Sequence, residues 1–534
     1  MSVSRRDFLK GAACAGAAVA ASSAIAVADE AEAKAPVFDN YDFFAQSRVV
    51  WQDIPEDQIA ETYDYDYVVI GGGNSGVISA MAASCNGVGK VALLQNAYAC
   101  ISGGWGASGL VPEESDPAGL GRYKWQWNDQ NLYRTDQHIL QNVLDYSGAA
   151  IDFVYQVATV ESGIEPNTNK IAPREFGGYN VAIHTLEYGP KPRGYVDALN
   201  AISEAAAPAH GVDFYFGMPG VKLIQDESGR VIAAIGKSLD DDKYYRFNAS
   251  KGVLLACGSF QCNEAMLERY CSDAVGFESK VDGYFGDGHI MGLLAGGVMR
   301  NGAYSKMIHD SDNPMSSVPF FAVNDDGVRF MDEEVDMKWV NNYLKDQPNT
   351  GWWSSVFDSD YMEQVASWGY KTVDEAGMQK YMPGTPENLE LGVFAQHCHT
   401  YKADTLEDLA AQLGIPADAL IASVERYNEL VELGVDLDFG KNPKFLAPIK
   451  NPPFWGVHRH QRLSAILSGL NVDKYMCVLD KNKQPIPGLY ASGNCAGVPS
   501  GNCDWYQIQG GGSNGNAITG GYVAALHVSG VIGE

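Results

Sequence analysis

Three glycines, Gly71, Gly73 and Gly76, have the spacing of a phosphate-binding turn. They follow the apolar run YVVI and lead into small residues, so they fall between a predicted strand and a predicted helix. There the first glycine permits a tight turn, the second lets backbone approach a pyrophosphate, and the third lets the helix pack on the strand. The helix N-terminus would bind the phosphates. The spacing predicts a dinucleotide site, with a ligand-free glycine turn as the ordinary alternative.

Three polar side chains further along could also carry chemistry. Arg462 could serve as a carboxylate partner or a proton donor, although an isolated arginine more often forms a structural salt bridge. Tyr304 is a candidate phenolic acid. Asp287 could accept a hydrogen bond from a sugar hydroxyl, although a helix N-cap is an equally ordinary role for it. Each residue keeps a structural alternative on sequence alone.

The elements near the glycine turn can be read from the same sequence. A second strand, Lys90 to Gln95, completes a βαβ unit. The run ISGGWGASG at 101–109 would let backbone lie flat against a large planar ligand, although a flexible loop could have the same composition. The C-terminal run at 510–526 predicts a second small-residue helix whose N-terminus points into the same crevice. Two ends of the chain therefore meet at one site.

Between these ends the glycine-rich α/β pattern lapses and the sequence becomes aromatic. Hairpins are predicted at 220–236, which includes Val221, and around DKNKQP. Within the aromatic stretch, Thr405 and Gly414 predict the start and stop of an amphipathic helix. The predicted divisions are a signal peptide at 1–28, a leader at 29–63, a nucleotide-binding domain in two parts at 64–302 and 454–534, and an inserted domain at 303–453.

The charge of the chain limits its partners. A formal net charge of −28 over 534 residues disfavours binding to nucleic acid or to anionic membrane surfaces, because both would repel it. We therefore expect no nucleic-acid partner and a solvated acidic surface.

The N-terminus is similar to a twin-arginine export signal. It carries SRRDFLK, an alanine-rich apolar stretch, and a small-residue cleavage pattern at residues 26–28. A membrane anchor is the weaker alternative, because the segment is short and only mildly hydrophobic. We expect export by the twin-arginine route and a periplasmic or extracytoplasmic cell-surface location.

The cysteines give no sign of a metal or haem of the protein's own. There are 10 of them, without a tight pairing pattern, a CxxC or a CxxCH, so iron–sulfur, zinc and c-type haem sites are all disfavoured. We predict no metal. Any electrons that the protein uses must come from a separate partner.

In order along the chain, several motifs resemble the flavoprotein subunit family of fumarate reductase and succinate dehydrogenase, in its soluble single-chain branch, which also includes 3-ketosteroid dehydrogenases. The motifs are VVIGGGNSG, ACGSF with NEAM, GDG, NDDGVRFMDEE, SVERYNELVELGVDLDFG, and IPGLYASGN with GNAITGGYVAA. The resemblance implies FAD as cofactor. It also implies an α/β fold, with a Rossmann-like FAD-binding domain formed by N- and C-terminal parts and an inserted α+β capping domain that closes over the substrate.

The resemblance assigns FAD-lining positions residue by residue. In addition to the glycines of the turn and Val221, these positions are Ser75, Gly103, Gly104, Ser108, Gly109, Asp287, Asn494, Ala517 and Ile518. The family's acidic residue for the adenosine ribose falls on Gln95, whose amide oxygen can still accept a hydrogen bond but brings no charge. The family's glutamate after the GLYGAG-like turn becomes Asn494, as in ketosteroid dehydrogenases.

The catalytic positions of fumarate reductases are not retained. The proton-donating arginine falls on Ser316, the substrate-clamping arginine on Gly512, and the paired histidines near Ser464 and Ala465. Two buried carboxylates without arginine partners would be unpaired, so fumarate and succinate are poor substrate candidates.

The resemblance offers other candidates near the substrate. Tyr506 and Gly510 match the tyrosine and glycine that hold the substrate carbonyl oxygen in ketosteroid dehydrogenases, although a core aromatic is the alternative for Tyr506. A donor is needed there because negative charge grows on that oxygen when hydride moves between flavin and the β carbon. His309 lies within one residue of the histidine in the HPT motif of the fumarate enzymes.

These features together predict an exported FAD-dependent reductase of a carbon–carbon double bond conjugated to a carbonyl or carboxylate. Its electrons would come from a membrane-associated cytochrome or a quinol-linked donor. A dehydrogenase that introduces a double bond next to a ketone is the alternative enzyme. A flavin electron carrier without turnover is a third interpretation, which the inserted domain disfavours because a lid serves to exclude water from a reacting pair.

Overall fold

The computed structural model describes residues 43–104, 106–189, 194–302, 304–309, 314–390, 396–501 and 508–533. The strands in these ranges are Ile59–Ile70 (β1), Val91–Leu94 (β2), Gly106–Val111 (β3), Pro166–Phe176 (β4), Tyr179–Tyr188 (β5), Val212–Tyr215 (β6), Gly220–Gln225 (β7), Val231–Lys237 (β8), Tyr244–Leu255 (β9), Lys306–Ile308 (β10), Ala322–Val323 (β11), Trp352–Phe357 (β12), Cys398–Ala403 (β13), Phe454–His460 (β14), Leu463–Ile466 (β15), Cys477–Leu479 (β16) and Pro485–Ala491 (β17).

The α-helices in the same ranges are Asn74–Cys85 (α1), Pro117–Gln130 (α2), Gln137–Tyr155 (α3), Gly194–Ala201 (α4), Ala207–Ala209 (α5), Glu264–Tyr270 (α6), Asp287–Leu294 (α7), Asn341–Leu344 (α8), Tyr361–Trp368 (α9), Glu375–Gln379 (α10), Pro386–Glu390 (α11), Leu406–Leu413 (α12), Ala417–Leu433 (α13) and Gly512–Val528 (α14). No helix within this part of the chain is both long enough and apolar enough to cross a membrane.

Five parallel strands in the order β6–β2–β1–β9–β17 form the centre of the largest sheet. This is the order of the first five strands of a Rossmann fold, with the crossover point between β1 and β9. The ends of β1 and β9 and all of β2 are buried, as expected for strands covered on both faces. The predicted Rossmann-like α/β fold is confirmed.

The predicted hairpins flank this sheet. β7 and β8 pair antiparallel, and β8 continues onto β9. β16 and β17 form the second hairpin, and β17 pairs with the C-terminal end of β9, whereas β8 pairs with its N-terminal half. Helices α1 and α14 pack on each other, and α14 also packs on α3, so N- and C-terminal parts of the chain share one domain, as predicted.

The inserted part of the chain has its own sheet, in the order β11–β12–β14–β13. Helices α12 and α13 cover one face of this capping sheet, and a second apolar cluster with α9 covers the other. As predicted, the hydroxyl of Thr405 caps α12 and Gly414 ends it in a left-handed conformation. Strand β14 pairs with β12 and β13, so the capping sheet extends to His460, past the predicted boundary at 453.

A buried ion network joins three segments of the capping domain. Arg329 donates two hydrogen bonds to Glu333 and two to Asp436, at 2.8–3.0 Å. The Lys441 ammonium lies 3.3 Å from Glu333 and donates to the hydroxyl of Tyr427 at 3.0 Å. The four charged side chains of the network are at most 7% exposed. The signature NDDGVRFMDEE therefore supplies the arginine and one carboxylate of this network.

Arg459, on β14, is a second buried arginine with a different environment. It is fully buried, its guanidinium lies over the ring of Trp353 at 4.7 Å, and Nη2 donates to the carbonyl of Pro314 at 3.3 Å. Within the described part of the chain its Nε and Nη1 have no hydrogen-bond partner. Burial lowers the pKa of Arg459 to about 10, so the side chain stays charged near neutral pH without a paired carboxylate.

Candidate active site

The glycine turn lies where the carboxyl end of β1 meets α1. Gly71 has a φ of +117°, and a Cβ there would lie 2.2 Å from the carbonyl oxygen of Ala256 at the end of β9. A Cβ on Gly76 would lie 1.8 Å from the carbonyl oxygen of Gly71. Gly73 is the N-cap of α1 and no side chain caps that helix. The turn is thus compatible only with glycine at these contacts, and it leaves the helix N-terminus open to a phosphate.

Two polar atoms at the start of α1 are buried without a protein partner. They are Oδ1 of Asn74 and Oγ of Ser75. Buried polar groups are nearly always hydrogen-bonded, so their position beside the glycine turn fits a ligand that supplies the missing bonds. This observation supports the assignment of Ser75 to the dinucleotide.

Gln95, at the end of β2, braces the same turn. Its amide oxygen accepts from the backbone N–H of Gly72 at 3.1 Å, and its amide nitrogen donates to the carbonyl of Ala99 at 2.9 Å. The oxygen keeps a second lone pair for a ribose hydroxyl. The predicted contact with ribose stays a prediction, and Gln95 also has a structural role that the sequence did not indicate.

The C-terminal part of the chain reaches the turn through glycines. A Cβ on Gly521 of α14 would lie 2.2 Å from the carbonyl oxygen of Ser75, and a Cβ on Gly493 would lie 3.2 Å from the Cβ of Ser75. Asn494 follows Gly493, and its carbonyl is 3.2 Å from Nε2 of His289. On α14, Ala517 is half-buried and Ile518 is fully buried. The structure thus brings α14 and Gly493 to the glycine turn, and the contacts of Asn494, Ala517 and Ile518 with FAD stay predictions.

The small-residue run at 101–109 continues into β3, which pairs with β5. The hydroxyl of Ser108 donates to the carbonyl of Gly510 at 2.9 Å. A Cβ on Gly104 would lie 2.8 Å from Nδ2 of Asn514, whereas Gly103 and Gly510 have open space around them. The start of α14 therefore lies beside this run, with room for a ligand at the two open glycines.

Gly109 and Val221 are in more enclosed positions. A Cβ on Gly109 would lie 2.3 Å from the carbonyl oxygen of Ser147, so this glycine permits close packing of β3 on α3. Val221 is 1% exposed, and its carbonyl accepts from the backbone N–H of Val50 at 2.9 Å. Both residues have packing roles here, and their predicted contact with FAD stays a prediction.

Asp287 is the first residue of α7, and its carboxylate is bound by Arg48. The backbone N–H of Arg48 donates to Oδ1 at 3.0 Å and its Nη1 to Oδ2 at 2.9 Å. Arg48 lies in the stretch that the sequence assigned to a leader, and no sequence signal pointed to it. Asp287 therefore anchors the N-terminal segment at the same edge of the sheet, whether or not it also contacts a sugar.

His309 and Arg462, predicted separately, are neighbours in the structure. They lie at one end of the β10–β15 pair, where the backbone N–H of His309 donates to the carbonyl of Arg462 at 3.1 Å. Arg462 is buried. Burial, and then the charge of Lys280, lower the pKa of His309 to about 3. His309 is therefore neutral at pH 7 and can donate a hydrogen bond, whereas the guanidinium of Arg462 stays charged.

Of the two tyrosine candidates, the structure describes only Tyr304. The hydroxyl of Tyr304 donates to the carbonyl of Arg300 at 2.8 Å, and its ring packs among Phe260 and Tyr270. Burial raises the pKa of Tyr304 well above its ordinary value, so it is a poor acid. Tyr506 lies outside the described residues, and its predicted role stays a prediction.

Comparisons with known proteins agree with this geometry. The sequence profile of the FAD binding domain family matches residues 66–513. The vinyl phenol reductase of Lactiplantibacillus plantarum is 24% identical over 82% of this chain and 91% of that protein. The 3-oxosteroid 1-dehydrogenase of Mycobacterium tuberculosis is 29% identical over a match that covers 54% of this chain and 54% of that protein.

Among solved structures, the open conformation of a flavocytochrome c3 fumarate reductase has a TM-score of 0.66 with this chain. It is 20% identical, and the match covers 90% of this chain and 82% of that one. This likeness concerns the fold, which is the one predicted. The family match spans most of the sequence, its cofactor fits the glycine turn and the two buried atoms of α1, and the chain belongs to the FAD binding domain family as an FAD-dependent oxidoreductase acting on CH–CH groups.

Proposed function

We propose that this protein is an exported FAD-dependent reductase of a carbon–carbon double bond conjugated to a carbonyl or carboxylate, other than fumarate. One relative that spans most of both chains, a vinyl phenol reductase, supports the reductive direction. The electron donor would be a separate respiratory protein, a membrane-associated cytochrome or a quinol-linked enzyme. Export rests on the N-terminal twin-arginine pattern.

The observation that carries the proposal is the pairing of Arg462 with His309. FAD, when bound, supplies the hydride chemistry. In such a reduction negative charge develops on the conjugated carbonyl or carboxylate oxygen, and a fixed cation or donor there lowers the barrier. The backbones of the two residues are hydrogen-bonded to each other, and Arg462 brings a buried guanidinium and His309 a neutral imidazole, which are a cation and a donor of the kinds required.

The same pair limits the choice of proton donor. His309, with a pKa of about 3, holds too few protons at neutral pH to be an effective acid. The hydroxyl of Tyr304 is bonded to a backbone carbonyl. Arg462 and Tyr506 are therefore the residues that we assign to carboxylate or carbonyl binding and to proton delivery.

An assay with reduced viologen tests the reductase. Purified FAD-loaded protein is given a panel of enones, enoates and aryl alkenes, each enoate beside its methyl ester. We expect at least one alkene to reoxidise the dye. If none does so, the proposed function is wrong.

Variants of Arg462 then test its role. We expect Arg462→Met to lower kcat/KM for the free acid by about 100-fold or more, since a charge-assisted contact in the transition state is worth about 3 kcal/mol. Arg462→Lys should recover part of the loss. The ester should be affected less, and equal losses for acid and ester would contradict carboxylate binding.

A dehydrogenase that introduces a double bond next to a ketone is the second candidate. The resemblance of Tyr506 and Gly510 to the ketosteroid dehydrogenase pair, together with the 3-oxosteroid 1-dehydrogenase relative, favours it. Saturated ketones with an artificial electron acceptor would reveal this direction. In that case Tyr506→Phe should reduce the rate more strongly than Arg462→Met, which is the reverse of the order expected for an enoate reductase.

A further inference from the structure

Three potential metal ligands meet where the capping sheet contacts the flavin domain. His460 ends β14, His397 precedes β13, and Glu278 lies in the flavin domain between α6 and α7. The backbone N–H of His460 donates to the carbonyl of His397 at 2.9 Å, and that of Leu463 donates to the carbonyl of Glu278 at 2.8 Å. These bonds fix the backbone of the three residues relative to one another.

The spacing of their side-chain atoms matches a metal site. Nδ1 of His460 is 3.4 Å from Nδ1 of His397 and 3.7 Å from Oε2 of Glu278. One ligand atom from each of the three residues lies within 4.8 Å of the others. Ligands at about 2.0–2.1 Å from a tetrahedral Zn²⁺ are separated by roughly 3.3 Å. Small side-chain movements would therefore bring all three atoms to one ion.

We propose that His397, His460 and Glu278 bind one divalent transition-metal ion of the zinc type. The two histidines are 8% and 2% exposed, and the ring of His460 stacks on Trp352 at 4.2 Å, which fixes its plane. Glu278 faces solvent, so an ion can enter from that side and keep a water as its fourth ligand.

Neighbouring charges set the strength of this site. Lys280 and Arg462 both lie close enough to act on the charge of His460, and they oppose a cation, while Glu278 favours it. The site therefore binds weakly and exchanges its ion with solvent. Because Glu278 belongs to the flavin domain and both histidines to the capping domain, the ion links the two domains and adds a contact that holds the cap in place.

Cobalt binding tests the proposal on the full-length, tag-free, FAD-loaded protein after treatment with a chelator. Co²⁺ in a tetrahedral nitrogen–oxygen site gives visible d–d absorption that is much more intense, and at longer wavelength, than the weak absorption of octahedral, water-bound Co²⁺. We expect one ion per chain, displaced by Zn²⁺. His460→Gln, His397→Gln and Glu278→Gln should each weaken binding by about tenfold or more.

His458→Gln is the matched control. His458 lies on the same face of β14 and stacks on the same Trp352, but it is outside the cluster, so its variant should bind Co²⁺ as the wild type does. FAD content shows that each variant is folded. The proposal is overturned if the wild type gives no d–d band, if the three cluster variants bind as tightly as the wild type, or if His458→Gln loses the ion equally; the two imidazoles would then only be hydrogen-bonded to each other.

Discussion

Replacing Arg329 by Met should strongly destabilise the capping domain. Arg329 makes four side-chain hydrogen bonds, two to Glu333 and two to Asp436, in a site where the side chains of all three residues are at most 7% exposed. Methionine would fill much of the volume but leave the carboxylate of Asp436 without its cation, held only by backbone N–H groups, and that of Glu333 with Lys441 as its remaining cation. Removing one partner of a buried ion pair costs about 3–5 kcal/mol. We expect a loss of that size at pH 7.

Urea unfolding followed by tryptophan fluorescence measures this loss, because several tryptophans lie in the capping domain. Arg426→Met is the matched control, since Arg426 also pairs with two carboxylates, Glu429 and Asp438, but its side chain is 48% exposed. An exposed pair is worth about 0–1 kcal/mol. If the two variants lose similar stability, the reasoning from burial is wrong.

The same variant should depend on pH. Burial alone would raise the pKa of Asp436, but hydrogen bonds from Arg329 and from backbone amides outweigh it and hold this pKa well below its ordinary value. A lowered pKa adds stability that is complete above the unfolded value, about 3.9, and is lost only as the pH falls through the folded one. The stability that Asp436 contributes in the wild type is therefore constant between about pH 5 and pH 8. Without Arg329 only backbone amides oppose the effect of burial at Asp436, so the pKa of this carboxyl rises and the loss should be smaller at about pH 5 than at about pH 7. A loss that is equal or larger at the lower pH would contradict this.

Three further variants are informative. Arg459→Met should leave the urea midpoint unchanged or raise stability by up to about 4 kcal/mol, because Arg459 is fully buried with Nε and Nη1 unbonded; a large loss would contradict this. Gly521→Ala should abolish retention of FAD, measured by absorbance, since its Cβ would lie 2.2 Å from a carbonyl oxygen, whereas Gly121→Ala, with open space, should change stability by less than about 1 kcal/mol. The pH–rate profile should have the same shape for His309→Gln as for the wild type at pH 5–8, because the pKa of His309 is about 3.

Local patterns in the sequence predicted the flavin half of the fold well. The turn at Gly71, Gly73 and Gly76, the two hairpins and the helix that ends at Gly414 each depend on residues close together in the chain. Glycine is needed where a Cβ would clash with a carbonyl oxygen, and it is favoured where a helix ends in a left-handed conformation. Such positions can be recognised in the sequence because other residues fit them less well.

Contacts between distant segments could not be predicted in the same way. Arg48 and Asp287 are 239 positions apart, and nothing local marks an arginine that will bind a carboxylate at the start of a distant helix. The boundary at 453 followed a change in composition, whereas β14 begins at Phe454 and pairs with β12 and β13. Strand pairing in the capping sheet decides that boundary, and composition does not report pairing.

The buried ion network of the capping domain and the start of α1 satisfy their polar atoms in different ways. In the buried ion network of the capping domain, Arg329 and Asp436 meet each other's charge with short hydrogen bonds. At the start of α1, Asn74 and Ser75 each keep a buried oxygen without a partner, at a cost of about 1–3 kcal/mol for each. A protein that kept these oxygens unbonded would be less stable for no structural gain. The oxygens of Asn74 and Ser75 therefore depend on the bound cofactor for hydrogen bonds, whereas Arg329 and Asp436 find theirs within the chain.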